Sequence, residues 1–292
     1  MTAASVTRPT PQAPPRWRLR RLPAVAVPHI VLIGYVLVAC GPILLIVLNS
    51  VKSRTAIFGE PFSPPTAETF STVGYETVFA RARFELYFLN SFVVTVTAVV
   101  LVLAFGAMAA FALAEYRFRG NLWLGVYLAL GIMIPIRLGT VSILRMMVSL
   151  HLVNSLLGLI LVYTAMGLPL AVFILQLFFN QVPVELKEAA RVDGASEYRV
   201  FRLVVPLIRP GLAAIAVFTM LPIWNDLWFP LILTPGEASR TVTLGAQLFL
   251  GQFVSDWNAV LAVLSLAMLP MIALYMIFSK QFLRGLTQGA IK

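Results

Sequence analysis

One acidic residue lies well inside a long apolar stretch of this sequence. Asp226 follows Trp224 and Asn225 and precedes Trp228. A charge at the centre of a membrane-spanning helix costs about 2.5 to 3.5 kcal/mol on insertion scales, so it calls for a compensating role. Asp226 could line a polar pathway for a hydroxyl-rich solute. The favoured alternative is structural: Asp226 caps a broken helix or pairs with another subunit.

Aromatic and basic residues in apolar stretches also have two interpretations. Trp224 and Trp228 are four residues apart, so on a helix they share a face and could stack on a sugar ring. Tryptophans near membrane interfaces are more often anchors, and anchoring is favoured here. Arg137 follows Pro135 and could line a pathway, but a long side chain that reaches back to the membrane surface is the favoured interpretation.

The sequence contains no recognisable catalytic motif. It lacks the phosphate-binding Gly-x-x-x-x-Gly-Lys-Ser/Thr run, the His-Glu-x-x-His zinc helix and the Gly-x-Ser-x-Gly hydrolase turn. Cys40 is the only cysteine, which excludes an intrachain disulfide and a cysteine-based metal site. His29 and His151 are far apart, so no histidine metal centre is predicted. We therefore predict that the chain is not an enzyme.

The composition indicates a membrane protein. Of 292 residues 60% are hydrophobic and 12% are charged, against about 25% charged residues in soluble domains. The mean hydropathy of +0.90 implies more apolar surface than one core can bury, so lipid is predicted to cover the rest. The net charge of +10 would suggest nucleic acid in a soluble protein, but five of the arginines crowd the first 21 residues beside four prolines, and no nucleic-acid partner is predicted.

At about 20 apolar residues per span, the chain has room for six transmembrane helices. We predict an all-α integral membrane protein, with spans at 29–48, 156–179 and 211–233 and within the windows 85–115, 119–137 and 256–280. Within the window 85–115, Gly106, Ala110 and Ala114 recur every fourth residue and predict close helix packing. Pro135 and Pro270 are tolerable when neighbouring groups satisfy the freed carbonyls.

Charge distribution predicts the topology. Fifteen of the 22 Lys and Arg residues fall on the side of both termini, which the positive-inside rule makes cytoplasmic. The predicted divisions are a basic disordered tail at 1–28, the first span with its outer loop at 29–84, a core of five spans at 85–285, and a cytoplasmic tail at 286–292.

The cytoplasmic loop at 180–210 is predicted to contain two short helices. Pro183 can begin the first, and Gly194 can end it because glycine readily adopts the left-handed cap conformation. The second is expected at about 196–204, before Pro206. Taken alone, these features are typical of an amphipathic loop on lipid headgroups.

The residues of this loop, however, follow a more specific pattern. They are Glu188, Ala189, Ala190, Asp193, Gly194, Ala195, Phe201, Pro206 and Leu207. This series resembles the EAA loop of ABC importer permeases of the binding-protein-dependent type, with Val205 where that family usually has leucine. Residues 224–230, with Asn90 and Ser91, resemble its carbohydrate-uptake branch, and residues 285–290 resemble the tail of the maltose-system permeases. The resemblance covers roughly 89–292, and we call 180–210 the EAA loop.

The resemblance implies specific sites. In this family the loop is a coupling helix that docks on an ATP-binding subunit, which implicates Glu188, Ala189, Ala190, Asp193, Gly194 and Ala195. The tail residues implied to contact the ATP-binding subunits are Gly285, Leu286, Thr287 and Gly289. The pathway candidates are Asn90, Arg137, Trp224, Asn225 and Asp226.

The resemblance also implies partners. They are a homologous permease in a heterodimer, a dimer of ATP-binding subunits that holds ATP and Mg, an extracytoplasmic solute-binding protein near 235–255, a carbohydrate substrate, and the lipid of a bacterial inner membrane. No cofactor is expected in this chain. The alternatives are an importer for a non-sugar solute, a non-transporting scaffold, and an ion-coupled carrier, which needs buried ionisable groups of which only Asp226 qualifies.

Overall fold

The computed structural model describes residues 17–251 and 255–288, and this part of the chain is almost entirely helical. The α-helices are α1 (Trp17–Ser50), α2 (Arg54–Gly59), α3 (Val73–Arg81), α4 (Phe84–Glu115), α5 (Asn121–Met133), α6 (Thr140–Ser149), α7 (Leu156–Phe179), α8 (Val184–Val192), α9 (Glu197–Val204), α10 (Arg209–Asn225), α11 (Trp228–Leu233), α12 (Val242–Ala246) and α13 (Trp257–Gln288). Short 3-10 turns occupy Ile136–Gly139, Val205–Ile208, Glu237–Ser239 and Gln247–Phe249.

Several helices are long and apolar enough to cross a membrane. Within the described residues, four stretches pass by length and composition: Val27–Ser50, Phe84–Glu115, Leu156–Phe179 and Glu197–Asn225. A bent pair, Asn121–Met133 with Ile136–Ser149, is a fifth if it counts as one span, and Trp257–Ala273 is a shorter apolar helix. The all-α membrane fold is confirmed, while the count of six spans stays a prediction.

The first helix begins earlier than the predicted span. Helix α1 starts at Trp17, so residues 17–28, which the sequence assigns to the basic tail, are helical. Leucine and arginine at 18–22 are good helix formers, and a spanning helix can continue past the lipid when its residues favour helix. Residues 1–16 of the predicted tail lie outside the described part of the chain.

Two predicted spans are broken rather than continuous. Helix α5 ends at Met133, and the chain turns by 88° before α6. Pro135 disfavours helical geometry for the residue before it, and Ile134 has the extended ψ of 122°. The fifth span breaks at Asp226, whose ψ of 132° ends α10 before α11 begins. Pro135 therefore bends the third span instead of being accommodated within it.

The central packing contact joins α4 and α7. A side chain built on Gly106 would place its Cβ 2.8 Å from the Cβ of Ala171, which is closer than real contacts allow. Ala110 and Ala171 are both fully buried. The small residues predicted to permit close helix packing therefore do so, because only a glycine at 106 lets the two backbones approach this closely.

The EAA loop packs against the same pair of helices. The rings of Phe111 on α4, Phe179 on α7 and Phe201 on α9 have centroids 5.3 to 6.4 Å apart. Val200 and Val204 of α9 are fully buried in the same cluster. The loop is therefore a folded part of the helical core, and its position follows that of α4 and α7.

Candidate functional site

The EAA loop forms the two helices that the sequence predicts. Helix α8 begins directly after Pro183, and Gly194 follows its end with a φ of +80°. Such a positive φ is strained for residues with a Cβ and is relaxed for glycine. Helix α9 spans Glu197–Val204, within one residue of the predicted start.

The coupling residues implied by the resemblance divide between two faces. Glu188, Ala189, Asp193 and Gly194 are exposed, whereas Ala190 and Ala195 are half-buried against the core. The exposed surface also contains apolar side chains, with Val192 at 87% and Tyr198 at 65% exposure. The loop thus presents a surface of acidic, basic and apolar side chains while its other face is fixed to the helices.

A cluster of charged residues that the sequence did not reveal fixes that inner face. Lys187 Nζ lies 2.5 Å from Glu115 Oε2, and Arg191 Nη2 lies 2.7 Å from Glu115 Oε1. The side chains of Glu115 and Lys187 are only 8% and 10% exposed. Glu115 ends α4, so these contacts join α8 to a membrane helix through partners more than 70 residues apart in sequence.

Two further residues complete what we call the Glu115 cluster: Glu115, Tyr116, Lys187, Arg191 and Glu197. Arg191 Nε donates to Glu197 Oε1 at 2.8 Å, and the Tyr116 hydroxyl donates to Glu197 Oε2 at 2.6 Å. Hydrogen bonds to Glu197 and Glu115 raise the pKa of Arg191. Burial and the hydrogen bond to Glu197 raise the pKa of Tyr116 to about 12, so its hydroxyl stays a donor at neutral pH. The cluster therefore connects α4, α8 and α9.

A cavity of about 400 Å³ lies between the two broken spans and α7. Its walls combine apolar side chains with a few polar groups, a composition typical of sites for small molecules. Three of the five pathway candidates, Arg137, Asn225 and Asp226, line it. The other lining residues are Ile136, Tyr163, Met166, Gly167, Leu170, Phe218, Thr219, Pro222, Ile223 and Phe229.

Asp226 caps helix α11. Its Oδ1 accepts from the backbone N–H of Trp228 at 3.2 Å, and its Oδ2 accepts from that of Phe229 at 3.1 Å. The hydroxyl of Tyr163 donates to Oδ2 at 2.8 Å. The interpretation as the cap of a broken helix is confirmed, because the carboxylate satisfies N–H groups that the break leaves without a partner. The pathway role stays a prediction.

Arg137 and Trp228 connect the two breaks. The guanidinium of Arg137 lies 5.7 Å from the ring centroid of Trp228, within range of a cation–π interaction. The indole N–H of Trp228 donates to Thr140 Oγ1 at 3.0 Å, and this hydroxyl donates to the Arg137 carbonyl at 2.6 Å. The start of α11 is thereby held against the start of α6.

The other two pathway candidates, Asn90 and Trp224, do not line this cavity. Asn90 is buried, and its Nδ2 donates to the carbonyls of Ala238 and Arg240 at 2.9 Å each. Trp224 is also buried, and its indole N–H donates to the carbonyl of Ala267 at 3.0 Å. Asn90 therefore holds the segment after α11, and Trp224 joins α10 to α13.

The predicted tail contact is only partly described. Gly285, Leu286 and Thr287 lie in helix α13, whereas Gly289 lies outside the described residues. Residues 252–254 of the outer segment predicted to face the solute-binding protein are outside them as well. Among the described residues, no three His, Cys, Asp or Glu side chains form a group that could hold a metal ion.

Sequence reasoning missed Glu115, Tyr163 and Thr140 as contact residues. Lys187 and Arg191 are four residues apart on α8 and therefore lie on one face of it. Their acidic partner belongs to another helix, and no local spacing relates it to them.

Comparison with known proteins gives the chain a family. Residues 102–288 match the family described as "Binding-protein-dependent transport system inner membrane component". The diacetylchitobiose uptake system permease protein NgcG of Streptomyces coelicolor is 32% identical over 91% of this chain and 89% of its own length. The arabinooligosaccharides transport system permease protein AraQ of Halalkalibacterium halodurans is 30% identical over 87% of this chain and 92% of its own length.

A solved structure shows the same fold. A chain of a bacterial ABC transporter involved in the import of the acidic polysaccharide alginate matches with a TM-score of 0.77 and 23% sequence identity. The match covers 94% of the present chain and 100% of the other. At this identity the likeness concerns the fold alone.

Proposed function

The chain belongs to the family of inner membrane components of binding-protein-dependent transport systems, and we propose that it forms part of a carbohydrate pathway opened and closed by separate ATP-binding subunits. It is a multi-pass membrane protein and a transport component of an ABC importer, not an enzyme. The ion-coupled carrier and the scaffold are excluded by this membership.

The substrate is proposed to be a mono- or oligosaccharide. Relatives are named for the uptake of diacetylchitobiose and of arabinooligosaccharides. In the cavity, Arg137 and Asn225 bring polar groups beside apolar walls, a combination suited to sugar hydroxyls and to the apolar faces of a sugar ring. We retain Arg137, Asn225 and Asp226 as pathway residues, with Asn90 and Trp224 contributing through the elements that they hold.

The observation that carries the proposed coupling is the two-sided EAA loop. Its inner face is fixed to α4 and α7, whereas Glu188 and Ala189 project from α8 without burial. Closure of an ATP-binding dimer against the exposed face would move α8 as a rigid body and rock the membrane helices with it. Asp193, Gly194 and the half-buried Ala190 and Ala195 complete the proposed contact.

The proposed assembly has a homologous permease beside this chain, two ATP-binding subunits that hold ATP and Mg, and a solute-binding protein on the outer side. In this proposal both termini and the EAA loop are cytoplasmic, and the segment at 235–255 would face the solute-binding protein. The end of α13 and the following residues, Gly285, Leu286, Thr287 and Gly289, are proposed to reach the ATP-binding dimer.

Crosslinking tests the coupling role directly. The exposed Cys40 is first replaced by serine, and a single cysteine is then introduced by the substitution Ala189→Cys. We expect crosslinking to the ATP-binding subunit in membranes that contain the whole complex. The matched control is Ala67→Cys, another exposed alanine, placed on the outer side of the membrane. Labelling of Ala189→Cys by an impermeant thiol reagent from outside would overturn the proposal.

Uptake assays test the substrate class. Binding of a panel of mono- and oligosaccharides to the solute-binding protein selects the sugar, with diacetylchitobiose as the first probe. In proteoliposomes with the complete complex, we expect ATP to drive uptake of the selected sugar and a protonophore to leave that uptake unchanged. Preference of the binding protein for a non-sugar solute would redirect the proposal to that class.

A further inference from the structure

Glu115 occupies a helix position where a negative charge is unfavourable. The carboxyl end of a helix carries partial negative charge, so cations stabilise it and anions do not. Glu115 is the last residue of α4, and its side chain is only 8% exposed. A buried carboxylate at this position requires nearby cations, because an unpaired buried charge is strongly destabilising.

The two cations both come from α8 of the EAA loop. Lys187 reaches one oxygen of Glu115 and Arg191 reaches the other. On the same helix, Glu188 and Ala189 are exposed. Helix α8 therefore has one side attached to α4 by charge and another side free for a partner.

These ion pairs fix the direction in which α8 lies against α4, which the apolar contacts of the loop do not. Burial of Phe201, Ala190 and Ala195 resists separation of the loop from the helices. Hydrophobic contact is not directional. Charge-assisted hydrogen bonds to both oxygens of one carboxylate fix direction as well as distance. The Glu115 cluster is thus the directional contact between the loop and α4.

Helix α4 leads from this contact towards the cavity. It approaches α7 closely where Gly106 meets Ala171, and Tyr163 of α7 donates to Asp226 in the cavity wall. Continuity of contacts alone does not establish energetic coupling, so the test must measure coupling itself.

We propose that Glu115 is a positioning residue through which movement of α8 is transmitted to the membrane helices, so that loss of its charge uncouples ATP hydrolysis from transport. The inference rests on the proposed docking of α8 on an ATP-binding subunit. It adds the residue on which the force acts within the permease.

The primary test is Glu115→Gln in the complete complex in proteoliposomes. The readout is the number of sugar molecules taken up per ATP hydrolysed, for the sugar selected by the binding-protein panel. We expect this ratio to fall at least about fivefold, the lower range of typical coupling energies, while ATP hydrolysis without binding protein and the yield of assembled complex are retained. The matched control is Glu85→Gln at the other end of α4, where the glutamate is exposed, and its ratio should equal that of the wild type.

A charge exchange covers the case in which Glu115→Gln does not assemble. We expect the double variant Glu115→Lys with Lys187→Glu to restore part of the ratio that either single reversal loses, because it re-forms the ion pair between positions 115 and 187 but leaves Arg191 facing a lysine. A role limited to folding predicts that transport and ATP hydrolysis fall together with the amount of complex, at an unchanged ratio.

The outcomes separate this inference from the proposed function. If the wild type couples and both Glu115→Gln and the single reversals couple equally well, the inference is overturned while the proposed function stands. If ATP drives no uptake by the wild type and Ala189→Cys does not reach an ATP-binding subunit, the proposed function fails and the inference fails with it.

Discussion

Two acidic residues at opposite parts of the molecule are satisfied by different kinds of partner. At the EAA loop, Glu115 lies between Lys187 and Arg191, which belong to a distant segment of the chain. In the cavity wall, Asp226 accepts from two backbone N–H groups just after it and from the hydroxyl of Tyr163.

The difference separates two structural tasks. A cap acts mainly on its own segment, so Asp226 determines where the fifth span breaks and where α11 begins. An ion-pair cluster between distant segments determines how two elements lie relative to each other. The cap at Asp226 shapes the cavity. The ion pairs of Glu115 connect the membrane helix α4 to α8, whose other face is free for a partner.

The largest expected effect comes from removing the cap. Asp226→Ala leaves two N–H groups and the Tyr163 hydroxyl without an acceptor, and we expect the free energy of unfolding to fall by about 1–3 kcal/mol or more. Thermal unfolding of the purified complex measures this. Asp256→Ala is the matched control, because among the described residues the Asp256 carboxylate accepts from one N–H group, that of Ala259, and its loss should cost less. Equal losses in the free energy of unfolding for the two variants would contradict the role of Asp226 as the cap of α11.

The exposed face of α8 should affect transport and not stability. We expect Glu188→Arg to reduce sugar uptake about tenfold, equivalent to 1.4 kcal/mol, by reversing a charge at the proposed docking contact. The unfolding transition should stay within about 0.5 kcal/mol of wild type because the side chain is exposed. Glu68→Arg, a charge reversal at another exposed glutamate, between α2 and α3, is the control. Unchanged uptake in Glu188→Arg would contradict the proposal that an ATP-binding subunit docks on this face of the EAA loop.

The turn between α8 and α9 tests whether the loop must keep its shape. Gly194→Ala places a Cβ on a residue with φ +80°, which costs about 1–2 kcal/mol, although the Cβ meets no atom within 4 Å. We expect a lower unfolding temperature and reduced uptake. Gly59→Ala, where a Cβ also meets nothing and φ is not positive, should be neutral. A destabilisation equal to that of Gly59→Ala would show that the left-handed turn is not required.

The smallest expected effect concerns the contact between the two broken spans. Trp228→Phe removes the hydrogen bond to Thr140 and keeps an aromatic ring beneath Arg137. We expect a loss of about 0.5–1.5 kcal/mol in the free energy of unfolding, the usual value of one hydrogen bond. Trp123→Phe, at a tryptophan that is 76% exposed, should change nothing. Uptake of Trp228→Phe then measures how far the cavity depends on this contact.

Elements with local signals were predictable to within a few residues. The fourth span was predicted at 156–179 and is α7 (Leu156–Phe179), because charge-free length is a property of the segment itself. Pro183 and Gly194 similarly defined the limits of α8. The bend near Pro135 was not predicted, since a proline in a spanning helix can be accommodated or can break it, and neighbouring helices decide which.

The sequence by itself determined that this chain is a helical membrane protein with an EAA loop, since hydropathy, proline and glycine positions and the loop motif are all local properties. Only the tertiary structure decided that Glu115 pairs with Lys187 and Arg191, and that Arg137, Asn225 and Asp226 share one cavity while Asn90 and Trp224 lie outside it. The physical reason is that burial and pairing of a charge depend on which helices pack together, and close contacts such as that of Gly106 with Ala171 settle this packing.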